Sequence, residues 1–137
     1  YGIKYHRHNS EIQQELNLLS GKKVDFTFTP HLSPMFRGIL TTIYCTLSKR
    51  NNVSSIISLL KKFYKKEFFV KILNKNKPIS TNDVINTNKC LISVCESKQK
   101  NKIIILSAID NLIKGGGGQA IQNMNLKFNF KKEMGLK

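Results

Sequence analysis

The chain has 137 residues, 40% of them hydrophobic, and a formal net charge of +15. That length and apolar share suit one domain with a core, and no apolar run approaches the roughly 20 residues that a membrane helix needs. Its cysteines, Cys45, Cys90 and Cys95, are three in number and form no CxxC, which argues against a disulfide framework or a zinc site and fits reduced thiols in the cytoplasm.

In chain order, Glu11 to Leu19 predicts a short helix, because Ile12, Leu16 and Leu19 share a face at helical spacing. Asn9 can cap it, or Ser10 and Gln13 can form a capping box. Gly21 stands where a helix C-terminus favours positive φ. Val24, Phe26 and Phe28 alternate with Asp25 and Thr27, the pattern of a half-buried strand. Pro30 and Pro34 punctuate the next loop, and Gly38 to Leu47 reads as a second strand. Asn52 to Lys66 is the clearest helix, with Val53, Ile56, Ile57, Leu60, Phe63 and Tyr64 on one face. Lys61, Lys62, Lys65 and Lys66 fill its last turns, where the helix dipole favours cations.

Phe68 to Leu73 is expected to be a strand, and Asn74 to Asn88 a polar loop interrupted by Pro78. Leu91 to Cys95 and Ile103 to Ala108 are two further strands joined by a polar turn. Gly115 to Gly118 open a C-terminal helix whose apolar face is Ala120, Ile121, Met124 and Phe128. Five strands with helices between and after them predict an α+β fold: a mixed, mostly antiparallel sheet with helices on one face.

The positive charge is nearly all lysine, since Arg7, Arg37 and Arg50 are the only arginines. Such a surface attracts anions. Nucleic acid is one anionic partner, and a small basic nucleic-acid-binding protein with its Lys-rich helix on the phosphates is the alternative reading. No arginine-rich run or aromatic RNA-binding motif supports it. Arg37, between a Pro-bounded loop and a strand, is a candidate anion clamp or an ordinary surface residue. His31, beside Pro30, suits a structural role. The cysteines lie in or beside apolar strands, where burial raises a thiol pKa and makes it inert. Lys114 precedes the glycines, so Lys114-Gly-Gly-Gly-Gly-Gln119 is not a P-loop. It still presents free backbone N–H groups at a helix start, which suits a ligand phosphate or amide. No metal-ligand set is read.

Three blocks carry a family resemblance: Tyr5-His6-Arg7-His8-Asn9-Ser10-Glu11-Ile12, Phe28-Thr29-Pro30-His31-Leu32 through Arg37-Gly38-Ile39-Leu40, and Ile109-Asp110-Asn111-Leu112-Ile113-Lys114-Gly115 through Gln119-Ala120-Ile121-Gln122. In this order they resemble the C-terminal part of the N-acetyl-gamma-glutamyl-phosphate reductases, NADPH-dependent enzymes of arginine biosynthesis. Ser10 stands where that family has Pro, and Gly116-Gly117 where it has small residues such as Ala. The family's Rossmann domain and Cys nucleophile have no counterpart here, and Tyr1 is not an initiator Met, so the chain reads as a fragment or a split, decayed frame. An inactive remnant is the other reading of the same ancestry.

The resemblance implies a C-terminal domain like that of the glyceraldehyde-3-phosphate dehydrogenase-like reductases. Residues 1–113 would form the substrate-binding and dimerisation domain, with homo-oligomer contacts through the sheet. Residues 114–137 would form a helix packing on the Rossmann domain. In such enzymes a Cys thiolate displaces phosphate from the acyl phosphate, and NADPH reduces the resulting thioester to the semialdehyde. His8 would be the acid–base residue, a task suited to imidazole near neutral pH. His6, Arg7 and Arg37 would bind N-acetyl-gamma-glutamyl phosphate, and Gly115, Gly116 and Gln119 would approach the nicotinamide end of NADPH.

Overall fold

A computed structural model describes all residues, 1–137, and divides them into two compact units, Tyr1–Met35 and Phe36–Lys137. In the first, helix α1 spans Arg7–Ser20, beginning four residues before the expected Glu11. Gly21, at φ 68°, closes it and donates its N–H to Asn17 O. The expected strand over 24–28 does not form. Val24, Phe26 and Phe28 are half-buried and Asp25 and Thr27 exposed, so the alternation is real. No neighbouring strand supplies a ladder. Instead Asn17 Oδ1 accepts from Val24 N at 2.9 Å, and Gln13 Nε2 donates to Val24 O at 2.7 Å. Two helix side chains thus take the backbone groups that a partner strand would have paired.

The second unit is built on a four-stranded sheet in the order β1-β4-β3-β2. Its strands are β1 (Ile39–Thr46), β2 (Val70–Ile72), β3 (Cys90–Glu96) and β4 (Lys102–Ile109). β4 runs antiparallel to both β1 and β3, while β2 runs parallel to β3. The fold is therefore α+β with a mixed, mostly antiparallel sheet, one strand short of the five expected. The β-branched runs predicted as strands form them, and Val94 pairs with Ile105 and Cys45 with Ile103 across the sheet.

Helix α2 (Val53–Phe63) covers one sheet face. Asn52 caps it in a reciprocal box with Ser55: Asn52 Oδ1 accepts from Ser55 N at 2.8 Å, and Ser55 Oγ accepts from Asn52 N at 3.0 Å. Val53 and Ile57 are buried against Val94 and Ile103, with Ile56, Leu60, Cys45, Ile72 and Ile105 around them. Each such burial contributes about 1.5–3 kcal/mol. Phe63 and Tyr64 do not join this core. The helix ends at Phe63, which is 72% exposed, and Tyr64 is its non-helical cap.

On the opposite face a second core forms from Ile79, Val84 and Ala108, flanked by Leu73, Leu91 and Leu106. The polar segment 74–88, expected as an irregular loop, supplies Ile79 and Val84. A 3₁₀ turn, Thr81–Asp83, is capped reciprocally by Ser80 and Asp83. Ser93 Oγ donates to Lys77 O at 2.6 Å and seats the segment on the sheet. Its polar composition hid this packing, because the turn satisfies its own backbone and lets Val84 and Asn88 become fully buried.

Helix α3 (Gly118–Lys127) follows a π-type turn over Ile113–Gly117. Its inward residues are Gly118, Gln122 and Asn125, while Ile121, Met124, Leu126 and Phe128 are exposed. Asn125 Nδ2 donates to Met134 O at 2.9 Å and Lys132 O at 3.3 Å, and Asn88 N donates to Lys137 O at 2.6 Å. These bonds hold residues 131–137 against the unit.

Candidate functional site

In the first unit, His6, Arg7 and His8 occupy the entry to α1. The N-cap is His6 rather than Asn9 or Ser10: a turn in which Tyr5 N and His6 N both donate to Gly2 O starts the helix early. Ser10, freed from capping, donates its Oγ to Arg7 O at 2.8 Å within the helix. His6 Nδ1 accepts from His8 N at 3.3 Å. That role requires Nδ1 to be unprotonated, so the ring proton sits on Nε2, which faces Tyr1 Oη at 3.2 Å. The His6 ring also meets those of His8 and Phe28 edge-on, at 4.8 and 5.4 Å between centroids. His6 is thus half-buried and fixed, whereas Arg7 and His8 point outward as exposed side chains on the first turn. His31 is exposed, and its Nδ1 lies 3.1 Å from Thr29 O.

In the second unit, the structure joins two of the sequence blocks into one assembly. Arg37 Nε donates to Asp110 Oδ1 at 3.0 Å. The same oxygen accepts from Leu112 N at 2.9 Å and Ile113 N at 3.0 Å, and Oδ2 accepts from Asn86 N at 2.8 Å. Beside it, Asn111 Oδ1 accepts from Gly38 N at 2.8 Å. Gly38 has φ 107°, and a Cβ there would lie 2.7 Å from Thr81 Cβ, so a side chain has neither the backbone conformation nor the room. Asp110 is fully buried. Burial pushes its carboxyl pKa up, but the Ile113 and Asn86 N–H groups, the Arg37 guanidinium and the Leu112 N–H outweigh that and hold it below the usual carboxylate value. A lone acid at the end of an apolar strand gave no sign of this in the sequence; only pairing residues 73 positions apart reveals it.

Gly115 and Gly116 lie in the turn before α3, not inside the helix. Gly115 N donates to Asp110 O at 3.0 Å and Gly117 N to Leu112 O at 2.9 Å. Gly116 is non-helical at φ −147° and ψ −114°. Gly115 and Gly116 therefore do not impose on α3 the roughly 1 kcal/mol that an interior glycine costs a helix. Gly118, its first residue, is the one that sterics demand: a Cβ there would lie 2.5 Å from Asn88 Oδ1 and 2.8 Å from Ile113 O. Gly118→Ala is expected to cost about 1–3 kcal/mol by overpacking, read as a lower urea midpoint than for Gly117→Ala, whose Cβ would meet its nearest atom at 3.8 Å. Gln119 is half-buried, and its Nε2 donates to Asn123 Oδ1 at 2.9 Å along the helix.

Beneath this turn runs a polar chain. Lys114 Nζ donates to Gln122 Oε1 at 2.8 Å, and Asn88 Nδ2 donates to the same oxygen at 2.9 Å. Lys114 also lies 5.5 Å from the Phe69 ring centroid. Burial lowers its pKa, opposed by Cys90 and Glu67. Asn88 Oδ1 is buried without a hydrogen-bond partner, facing Gly118. A cleft of about 340 Å³ adjoins it, lined by Asn86, Ile113, Gly117, Gly118, Ile121 and residues 135–137.

The cysteines are all free and half-buried, and burial pushes the Cys45 thiol up. No group of three or more His, Cys, Asp or Glu side chains is placed to hold a metal ion. No helix is long and apolar enough to cross a membrane.

Comparison with known proteins bears on this arrangement. The sequence profile of the semialdehyde dehydrogenase dimerisation domain matches residues 1–111. The chain belongs to that family. N-acetyl-gamma-glutamyl-phosphate reductases are similar to this chain along nearly all its length: that of Thermoanaerobacter pseudethanolicus is 45% identical over 136 residues, covering 99% of this chain and 40% of the relative. That of Geotalea daltonii is 48% identical over 137 residues, with 99% and 40% covered. That of Caldicellulosiruptor saccharolyticus is 46% identical over 136 residues, with 99% and 39% covered. The chain thus spans about two fifths of the length of these curated relatives.

Proposed function

We propose that this domain is the substrate-binding and dimerisation part of a cytoplasmic, NADPH-dependent reductase that converts N-acetyl-gamma-glutamyl phosphate to N-acetylglutamate semialdehyde in arginine biosynthesis. The observation that carries the reading is 45–48% identity, across 99% of the chain, to proteins of that name. The fold and the hydrogen-bonded union of the Arg37-Gly38 and Asp110-Asn111 blocks support it. The nucleophilic thiol and the dinucleotide domain belong, on this reading, to residues outside the chain.

His8 moves the proton. Its exposed ring stands on the first turn of α1, and the backbone below it is fixed by His6. Arg7 of the first unit and Arg37 of the second each offer a guanidinium suited to bidentate bonds with phosphate or carboxylate oxygens. The glycine turn fits a nicotinamide: Gly115 to Gly117 are exposed and carry no side chains, and Gln119 follows one residue into α3. NADPH, when bound, supplies the hydride. The exposed apolar face of α3, with Ile121, Met124 and Phe128, is the surface that residues 114–137 offer to the dinucleotide domain. β1 is an eight-residue edge strand with Ile39, Leu40, Ile43 and Tyr44 exposed, and a second copy covers it in the homo-oligomer.

The test is reconstitution. The chain is mixed or fused with the N-terminal portion of the Thermoanaerobacter pseudethanolicus reductase, and NADPH oxidation is followed spectrophotometrically with the acyl phosphate. The chain alone is expected to show no turnover and the pair to show it. A folded, associated pair with no turnover overturns the reading.

A further inference from the structure

We infer that Asp110 is a positioning residue that turns Arg37 into a subsite for a phosphate group, presenting the outer fork of its guanidinium while holding the start of the glycine turn with the same carboxylate. The inference deepens the reductase reading, on which it rests for the ligand class, an acyl phosphate. Three observations carry it.

The first is how Arg37 is held. Arg–carboxylate ion pairs are frequently bidentate, with two parallel N–H···O bonds. Here only Nε is engaged, at 3.0 Å, and neither Nη amine has a hydrogen-bond acceptor in the chain. The side chain is 18% exposed, against 0% for Asp110. Anchoring at Nε removes rotation about the last torsion and leaves the two Nη groups side by side, the geometry that matches two phosphate oxygens.

The second is how Asp110 is held. Three backbone N–H groups, from Asn86, Leu112 and Ile113, fix its carboxylate independently of Arg37. The carboxylate therefore keeps its place and sets the direction of the guanidinium, rather than the reverse. The third is a parallel tie: Asn111 Oδ1 holds Gly38 N at 2.8 Å, so the backbone that carries Arg37 is fixed from the same turn.

The experiment uses the 137-residue chain, isotopically labelled, with inorganic phosphate and acetyl phosphate as probes. NMR follows the side-chain N–H signals of Arg7, Arg37 and Arg50 and the amides of Gly38 and Asn111. The expected result is a saturable shift of the Arg37 signals and its neighbouring amides, absent at Arg50. Arg37→Lys, which keeps the charge but not the fork, is expected to abolish it. Asp110→Asn, examined at a temperature where its amide fingerprint shows the sheet intact, is expected to weaken binding about tenfold or more. A purely structural Asp110 lowers the melting temperature but leaves affinity in the folded fraction unchanged. Where Asp110→Asn does not fold, Asp110→Glu applies the same test, since it keeps the charge and shifts the carboxylate by one methylene.

Shifts at Arg37 no larger than at Arg50, or unchanged affinity in a folded Asp110 variant, overturn the inference. Because no turnover is measured, its failure leaves the reductase reading standing. Failed reconstitution with a saturable Arg37 site removes that reading and leaves the subsite.

Discussion

Asp110→Ala is expected to destabilise the second unit by about 3–5 kcal/mol. The reason lies in what remains afterwards. The Asn86, Leu112 and Ile113 N–H groups lose their acceptor together, and the Arg37 guanidinium loses its only carboxylate. Each orphaned, partly buried donor carries a desolvation cost. Arg37→Met is expected to cost less, because the three N–H groups continue to satisfy the carboxylate. Urea unfolding of both variants, followed by circular dichroism, measures the difference; equal losses would contradict this ordering.

The same pair makes a pH prediction. Asp110 has a lower pKa folded than unfolded. Its contribution is therefore fully present above the unfolded value of about 3.9 and is lost as the pH falls through the folded value. The stability gap between the parent chain and Asp110→Ala should be widest near neutrality and narrow well below pH ~4. A gap that stayed constant through that range would show that the hydrogen bonds do not depend on the charge.

His8→Ala in the reconstituted reductase is expected to lower kcat and kcat/KM by roughly 10²–10⁴-fold, the range for loss of a positioned acid–base group. The structure makes this a clean substitution. It is the backbone N–H of His8, not its ring, that closes the helix cap on His6 Nδ1. The ring is exposed, so α1 is expected to keep its start and the protein its melting temperature. His6→Asn checks the cap separately through the melting temperature, since an Asn oxygen replaces the imidazole as cap acceptor. Unchanged turnover in folded His8→Ala would remove His8 from proton transfer.

The sequence by itself determined the elements whose information is local. The apolar spacing of Val53, Ile57 and Leu60 marked α2, the β-branched runs marked β1, β3 and β4, and Gly21 marked the end of α1. It also located the three blocks that carry the family. Periodicity reports which side of an element prefers burial, and in α2, β3 and β4 the core agreed. Tertiary structure decided the rest. Val24 to Phe28 carries a strand's alternation, but a strand needs a neighbour, and Asn17 and Gln13 took Val24's backbone groups first. The entry to α1 moved to His6 because a turn at Gly2 presented an imidazole nitrogen to the first free N–H. α3 packs its polar Gln122 and Asn125 inward and its apolar side outward, since the groups they satisfy, Asn88, Lys114 and the backbone of 132–134, arrive from elsewhere in the chain. Asp110 depends most on such distant partners: its worth comes from donors at residues 37, 86, 112 and 113, and no window of sequence contains them all.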